Sequence, residues 1–167
     1  MISDSGGFQV MSIAKRNGDN SAVTDAGVTF TLEGVDHHFS PEDSIKYQIA
    51  MQTDLCVVLD DFTPLNASYA EARETVERTT LWAKRCRDMF DKLWDQSCDG
   101  QPTQTESLSQ KKSYKKRRPY LIGVVQGGSY ADLRLRSIKE LTEIGFDGYG
   151  YGGFPMKDGK FDIEMVK

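Results

Sequence analysis

The sequence predicts an α/β fold built from parallel βαβ units. Two observations carry that expectation. First, short apolar runs end abruptly on polar residues: Val57-Val58-Leu59 on Asp60-Asp61, and Gly123-Val124-Val125 on Gln126. Such runs read as strands buried on both faces of a parallel sheet. Second, amphipathic segments of helical length lie between them, so strands and helices alternate. The carboxyl ends of parallel strands are where α/β folds place chemistry, which makes the polar residues at those ends the first candidates.

The elements follow in order. Residues 13–27 are polar and rich in Gly, Asn and Asp, and predict a mobile loop. Val28-Thr29-Phe30-Thr31-Leu32 alternates, Glu33-Gly34 turns, and a second run ends at Phe39, which together predict an inserted β-hairpin. Ser40, Pro41 and Asp43 have the spacing of a capping box with proline in the first turn, opening a helix to about Met51. Asp54 to Asp60 is the next strand. Ser68 and Glu71 form a second capping box before a long helix to about Trp94. Its apolar residues Val76, Leu81, Trp82, Cys86, Met89, Phe90 and Leu93 recur at three- and four-residue spacing and are expected to pack as one core face. Residues 97–118 are Ser-, Gln-, Thr- and Lys-rich without periodicity, and predict a flexible basic insertion. Strand Tyr120–Gln126 follows, then a helix capped by Ser129 and stopped by Gly145. Strand Phe146–Tyr151 comes next, and Asp162–Lys167 begins a further helix.

Composition narrows the class. The chain has 167 residues, 38% hydrophobic and 28% charged, which suits one globular domain. Three scattered cysteines, Cys56, Cys86 and Cys98, show no C-x-x-C spacing, so neither a disulfide framework nor a zinc site is expected in this chain. No signal peptide or long apolar stretch is visible, which gives a cytoplasmic, non-membrane protein as the expectation. The net charge is −4, yet Lys111, Lys112, Lys115, Lys116, Arg117 and Arg118 put six cations within eight residues. That cluster is either a solvated loop flank or a local phosphate attractor. His37 and His38 sit in the hairpin with no further ligand type beside them, and no metal is assigned to them.

Four segments carry a more specific signal: Ser3-Asp4-Ser5-Gly6-Gly7-Phe8-Gln9-Val10, Val57-Val58-Leu59-Asp60-Asp61, Gly123-Val124-Val125-Gln126-Gly127-Gly128, and Gly148-Tyr149-Gly150-Tyr151-Gly152-Gly153-Phe154. In this order, with Gly145-Phe146-Asp147-Gly148-Tyr149 entering the last, they resemble the tRNA-guanine transglycosylase, or queuine tRNA-ribosyltransferase, family. The resemblance runs from Ser3 to about Phe154. It implies a (β/α)8 TIM barrel. A whole barrel needs ~250 residues, so the expectation is a partial barrel: central strands and helices with an inserted hairpin, forming one domain over residues 1–167.

The resemblance also implies an activity: exchange of guanine in tRNA for a 7-deazaguanine base, in the queuosine pathway. A guanine pocket needs acceptors for N1–H and the 2-amino group, donors for O6 and N7, and a flat apolar wall. The implied placements are Asp60 on the N1/N2 edge, Gln126 and the Gly152-Gly153 backbone as donors, Phe8 stacked on the base, and Ser5-Gly6-Gly7 carrying the chain around it. Asp4 is the implied proton acceptor and the candidate catalytic residue. Read from the residues alone, Asp60 could equally cap a helix, Phe8 could fill a core, and Gln126 could be a buried structural amide. The chain departs from the family pattern at Asp61 and Phe62, where the family usually has Glu and Cys, and at Phe154-Pro155, where it usually continues with Leu or Ile and small residues. The family's nucleophilic aspartate and its zinc ligands, three cysteines and a histidine, are expected beyond Lys167. The expected partners are tRNA, the free base and a second subunit, in a homo- or hetero-dimer. A non-catalytic RNA-binding or partner subunit of the same fold is the alternative. An unrelated barrel with a phosphate-binding Gly127-Gly128 loop is a further one.

Overall fold

A computed structural model describes residues 1–16, 23–98, 117–153, 156–157 and 160–161. The fold is mixed α/β. A parallel sheet of three strands, β4 (Leu55–Val57), β5 (Tyr120–Val125) and β6 (Gly148–Tyr151), has the order β4-β5-β6. Each link is a helical crossover: α3 (Tyr69–Cys98) joins β4 to β5, and α4 (Ala131–Ile144) joins β5 to β6. The register pairs Cys56 with Leu121 and Val124 with Gly150. Ile2 adds a parallel bridge to Leu55 on the outer edge of β4.

The inserted hairpin is present. The strands β2 (Gly27–Leu32) and β3 (Val35–Phe39) pair antiparallel, with β1 (Val23–Thr24) added to β2. Helix α2 (Pro41–Ala50) follows with its capping box complete: Ser40 Oγ accepts from Asp43 N at 3.2 Å, and Ser40 N donates to the Asp43 carboxylate at 3.2 Å. The Ser68–Glu71 box is also formed.

Four expectations need correction. Residues 13–16 are not loop, because α1 (Gly7–Arg16) runs straight on from the Gly-Gly turn. Its Met11 and Ala14 are buried at 5% and 1% exposure, and that burial stabilises the helix. Strand β4 is shorter than Asp54–Asp60: after Val58 N donates to Ile122 O at 3.0 Å, the chain leaves the ladder toward the site. Ser129 does not cap α4. The turn at Gly127 and Gly128, both at positive φ, moves the cap to Tyr130, which makes no side-chain capping bond. Leu81 is 40% exposed rather than core, while Val76, Trp82, Cys86 and Phe90 are fully buried. A short antiparallel pair, β7 (Met156–Lys157) and β8 (Lys160–Phe161), had no signal in the sequence reading. Residues 99–116 of the basic insertion and the helix expected at Asp162–Lys167 lie outside the described residues. Among the described residues, no helix is long and apolar enough to cross a membrane.

One buried amide fixes β4, and with it the route to the site. Gln48, 1% exposed on α2, donates from Nε2 to Val57 O and accepts from Val57 N, both at 2.8 Å. It therefore stands in for a neighbouring strand where the ladder to Ile2 has ended. Replacing Gln48 by Leu leaves both Val57 groups without partners. Urea denaturation should show a loss of about 2–3 kcal/mol. Lys46→Ala, which breaks only a surface pair with Asp43, should cost no more than about 0.5 kcal/mol.

Candidate functional site

The strand ends and the first turn surround a cavity of about 430 Å³. Its walls include Asp4, Ser5 and Phe8 from the amino-terminal turn, Asp60 and Phe62 after β4, and Tyr151, Gly152 and Gly153 at the end of β6. Ile122 and Val124, alternate residues of β5, supply an apolar floor. This volume suits a small planar ligand.

Asp60 is the electrostatic centre of the cavity. Gln126, fully buried, donates from Nε2 to Asp60 Oδ2 at 2.6 Å. Gln126 Oε1 in turn accepts from Thr63 N at 3.3 Å and from Thr63 Oγ1 at 3.0 Å. Thr63 Oγ1 lies 2.6 Å from Thr75 Oγ1 on α3. One carboxylate oxygen of Asp60 is thereby held from behind. Burial pushes the Asp60 carboxyl up to about 6, against the Gln126 hydrogen bond, and the charges of Asp4 and Asp61 add to the rise. Gln126 does not line the cavity wall. It stands behind Asp60, in the place of the structural amide that was one of its two readings.

The amino-terminal turn is tightly organised. Asp4 Oδ1 accepts from Ser5 N at 2.8 Å, and Ser5 Oγ accepts from Gly7 N at 3.2 Å. Ser44 on α2 donates to Ser5 O at 2.8 Å, which ties the turn to the core. Gly7 is required by space: a Cβ there would stand 2.8 Å from Leu59 Cδ1 and 3.3 Å from Asp60 O. Gly6 and Gly7 thus shape the turn without lining the cavity, while Asp4 and Ser5 line it. Phe8 is 56% exposed at the mouth and packs edge-on against Phe62, with centroids 5.6 Å apart. Phe8 is therefore not core filling.

Gly152 is also closely packed at the site, since a Cβ would meet Gln126 Nε2 at 2.4 Å and Val124 Cγ1 at 2.8 Å. Asp61, though adjacent to Asp60, faces away from the cavity. It is 6% exposed, ion-paired with Arg78, and its N–H donates to Thr79 Oγ1 at 2.9 Å. Tyr151 and the β5 floor residues Ile122 and Val124 carry no site signal in the sequence beyond their alternation along the strands, and Phe62, marked there only by its departure from the family, joins the wall from the segment after β4.

A larger groove of about 830 Å³ lies between α3 and α4, away from the strand ends. Its charged side chains pair with one another: Arg136 bridges Glu77 and Glu140 at 2.9 and 2.7 Å, and Arg87 reaches Asp91 at 2.8 Å. The smaller cavity carries the unusual chemistry.

The chain matches, over residues 1–167, the family described as queuine tRNA-ribosyltransferase. It belongs to that family. It is 36% identical to a protein named queuine tRNA-ribosyltransferase from Shewanella sp. (strain W3-18-1). It is 37% identical to proteins of the same name from Vibrio vulnificus (strain YJ016) and Vibrio cholerae serotype O1 (strain M66-2). Each alignment covers 99% of this chain but 38% of the relative, so the chain spans about two fifths of the length of the curated relatives it matches.

The raised Asp60 carboxyl has a consequence for stability. Between about pH 3.8 and 6 the folded state holds a proton that the unfolded chain has released. The contribution of Asp60 to stability is therefore present below that window and lost as pH rises through it. Asp60→Asn should raise stability by about 1–2 kcal/mol at pH 8, allowing for solvent screening at a half-buried group, and change it little at pH 4. Melting temperatures across that range check the sign.

Proposed function

We propose that this chain carries the base-recognition part of a queuine tRNA-ribosyltransferase, within a partial (β/α)8 barrel. The reaction is the exchange of guanine in tRNA for a 7-deazaguanine base. The observation that carries this reading is the meeting of Asp4, Phe8, Asp60 and Gly153 around one cavity.

Each group has a task that its placement supports. The Asp60 carboxylate accepts from N1–H and the 2-amino group, two parallel donors that match two carboxylate oxygens. Gln126 sets the rotamer of Asp60 from behind. The exposed face of Phe8 covers the base, as aromatic side chains do in nucleobase recognition. Asp4 is the acid–base group for the leaving and entering bases. Displacement of guanine breaks the C1′–N9 bond, its electron pair goes to the base, and a proton must then reach that base. The attacking carboxylate at C1′ belongs, by family resemblance, to a part of the fold beyond these 167 residues. The resemblance also implies a structural zinc. Among the described residues, no three His, Cys, Asp or Glu side chains come together to hold one, and no step here is drawn through it. tRNA is the proposed macromolecular substrate, with the basic residues 111–118 as a candidate contact and a second subunit as a candidate partner.

Guanine titration by calorimetry tests the reading. Asp60→Asn should weaken guanine binding by tenfold or more, because an amide turns a donor toward a donor and leaves a buried polar group unpaired, at about 1–3 kcal/mol. Wild-type affinity should also fall as pH drops below about 6, where the free carboxyl is protonated. Equal guanine affinity in both proteins would contradict the assignment. The purified 167-residue chain should incorporate no labelled guanine into tRNA unaided, and incorporation above an Asp4→Ala, Asp60→Ala control would contradict the placement of the nucleophile.

A further inference from the structure

Arg134 stands behind the cavity wall, where it and Gln126 both approach Gly153. It lies on the first turn of α4 and is 5% exposed. Its hydrogen bonds go to backbone carbonyls from separate segments. Nε donates to Gly128 O at 2.8 Å, one terminal nitrogen to Val125 O at 3.4 Å, and the other to Gly152 O at 3.1 Å. The guanidinium carbon stacks 3.8 Å from the centroid of the Tyr151 ring. No ion pair to a carboxylate is formed by Arg134 among the described residues, and burial pulls its pKa below the ordinary guanidinium value.

A buried cation without a counter-anion is a costly element. Carbonyl dipoles and an aromatic face offset that cost here. The planar fork of arginine can reach the end of β5, the Gly127-Gly128 turn and the end of β6 together, which a lysine ammonium cannot do in the same geometry.

The third of those carbonyls bears on the site. A trans peptide is planar, with its C=O and the following N–H on opposite sides. Arg134 holds the Gly152 carbonyl on the buried side. The N–H of that same peptide belongs to Gly153, which lines the cavity. We infer that Arg134 is a positioning residue, fixing the Gly152–Gly153 peptide so that the Gly153 N–H faces the cavity and donates to O6 of a bound guanine. This rests on the base-binding reading above. It gives the cavity an oriented donor beside the Asp60 acceptors, so O6 and the adjoining N1–H of one base edge are read by groups anchored on different helices.

The test compares two bases in full-chain proteins. 6-Thioguanine keeps N1–H and the 2-amino group but replaces O6 by a weakly accepting sulfur. Wild type should prefer guanine. Arg134→Lys should weaken guanine binding by about tenfold, the worth of one misdirected hydrogen bond, and 6-thioguanine binding by less than about threefold. Arg136→Lys, on the solvent side of the same helix, should preserve the preference. A merely structural Arg134 would shift the melting temperature without changing the ratio of the two affinities. Arg134→Gln, neutral but with an amide donor, is the second variant, and it should also lose guanine preference. Equal loss of both bases, or loss of neither, overturns the positioning role while leaving the base-binding reading standing. Failure of both variants to melt cooperatively overturns it as well, since Arg134 would then serve the fold. Absence of guanine binding in wild type overturns the base-binding reading itself, and this inference with it.

Discussion

The hydrogen bond from Gln126 to Asp60 is the contact on which the site depends. It joins the segments that follow β4 and β5 at 2.6 Å, within a region where Gln126 has no exposure to solvent. Thr63 and Thr75 continue the chain of bonds onto α3. A buried polar network of this kind stabilises only when every member is satisfied, and it then admits one arrangement. The arrangement leaves the rest of the Asp60 carboxylate facing the cavity, poorly solvated and beside the charges of Asp4 and Asp61. An acceptor prepared in this way gains more from a ligand's N–H donors than a solvated carboxylate would, because less water must be displaced from it.

The neighbouring acid shows how local placement separates two like residues. Asp61 is turned into the protein and neutralised by Arg78 on α3. It helps anchor the segment after β4 to α3, and its charge still reaches Asp60. Phe62 then returns to the cavity and braces Phe8 edge-on. Asp61 and Phe62 thus have definite structural roles. One is an internal ion pair, the other an aromatic brace at the cavity mouth.

Much of this was legible in the sequence, and the misses have physical causes. Strand–helix alternation gave β4, β5, β6 and their crossovers, and both capping boxes formed as their spacing required. The apolar runs that stop on Asp60 and Gln126 mark the carboxyl edge of the sheet, with Gln126 directly after β5 and Asp60 three residues beyond the end of β4. What the sequence could not show was direction. Gln126 points at Asp60 and not into the cavity, a matter of rotamer and of the close approach of Gly152. Helix α1 was missed because its stabilisation comes from burial of Met11 and Ala14 against distant elements, not from local propensity. The start of α4 slipped from Ser129 because a turn with two positive φ values takes up extra residues before the helix can begin. Arg134 gave no sequence signal at all, since a basic residue on a charged helix reads as solvated until its burial is known.

The most direct measurement is a crystal structure of this chain with guanine bound, grown above pH 7 so that Asp60 is ionised. The account predicts the base in the 430 Å³ cavity, with N1 and the 2-amino nitrogen about 3 Å from the Asp60 carboxylate. One face should lie against Phe8, and the Gln126–Asp60 bond should be intact. Guanine bound in the groove between α3 and α4, or in the cavity with its N1/N2 edge turned away from Asp60, would contradict it.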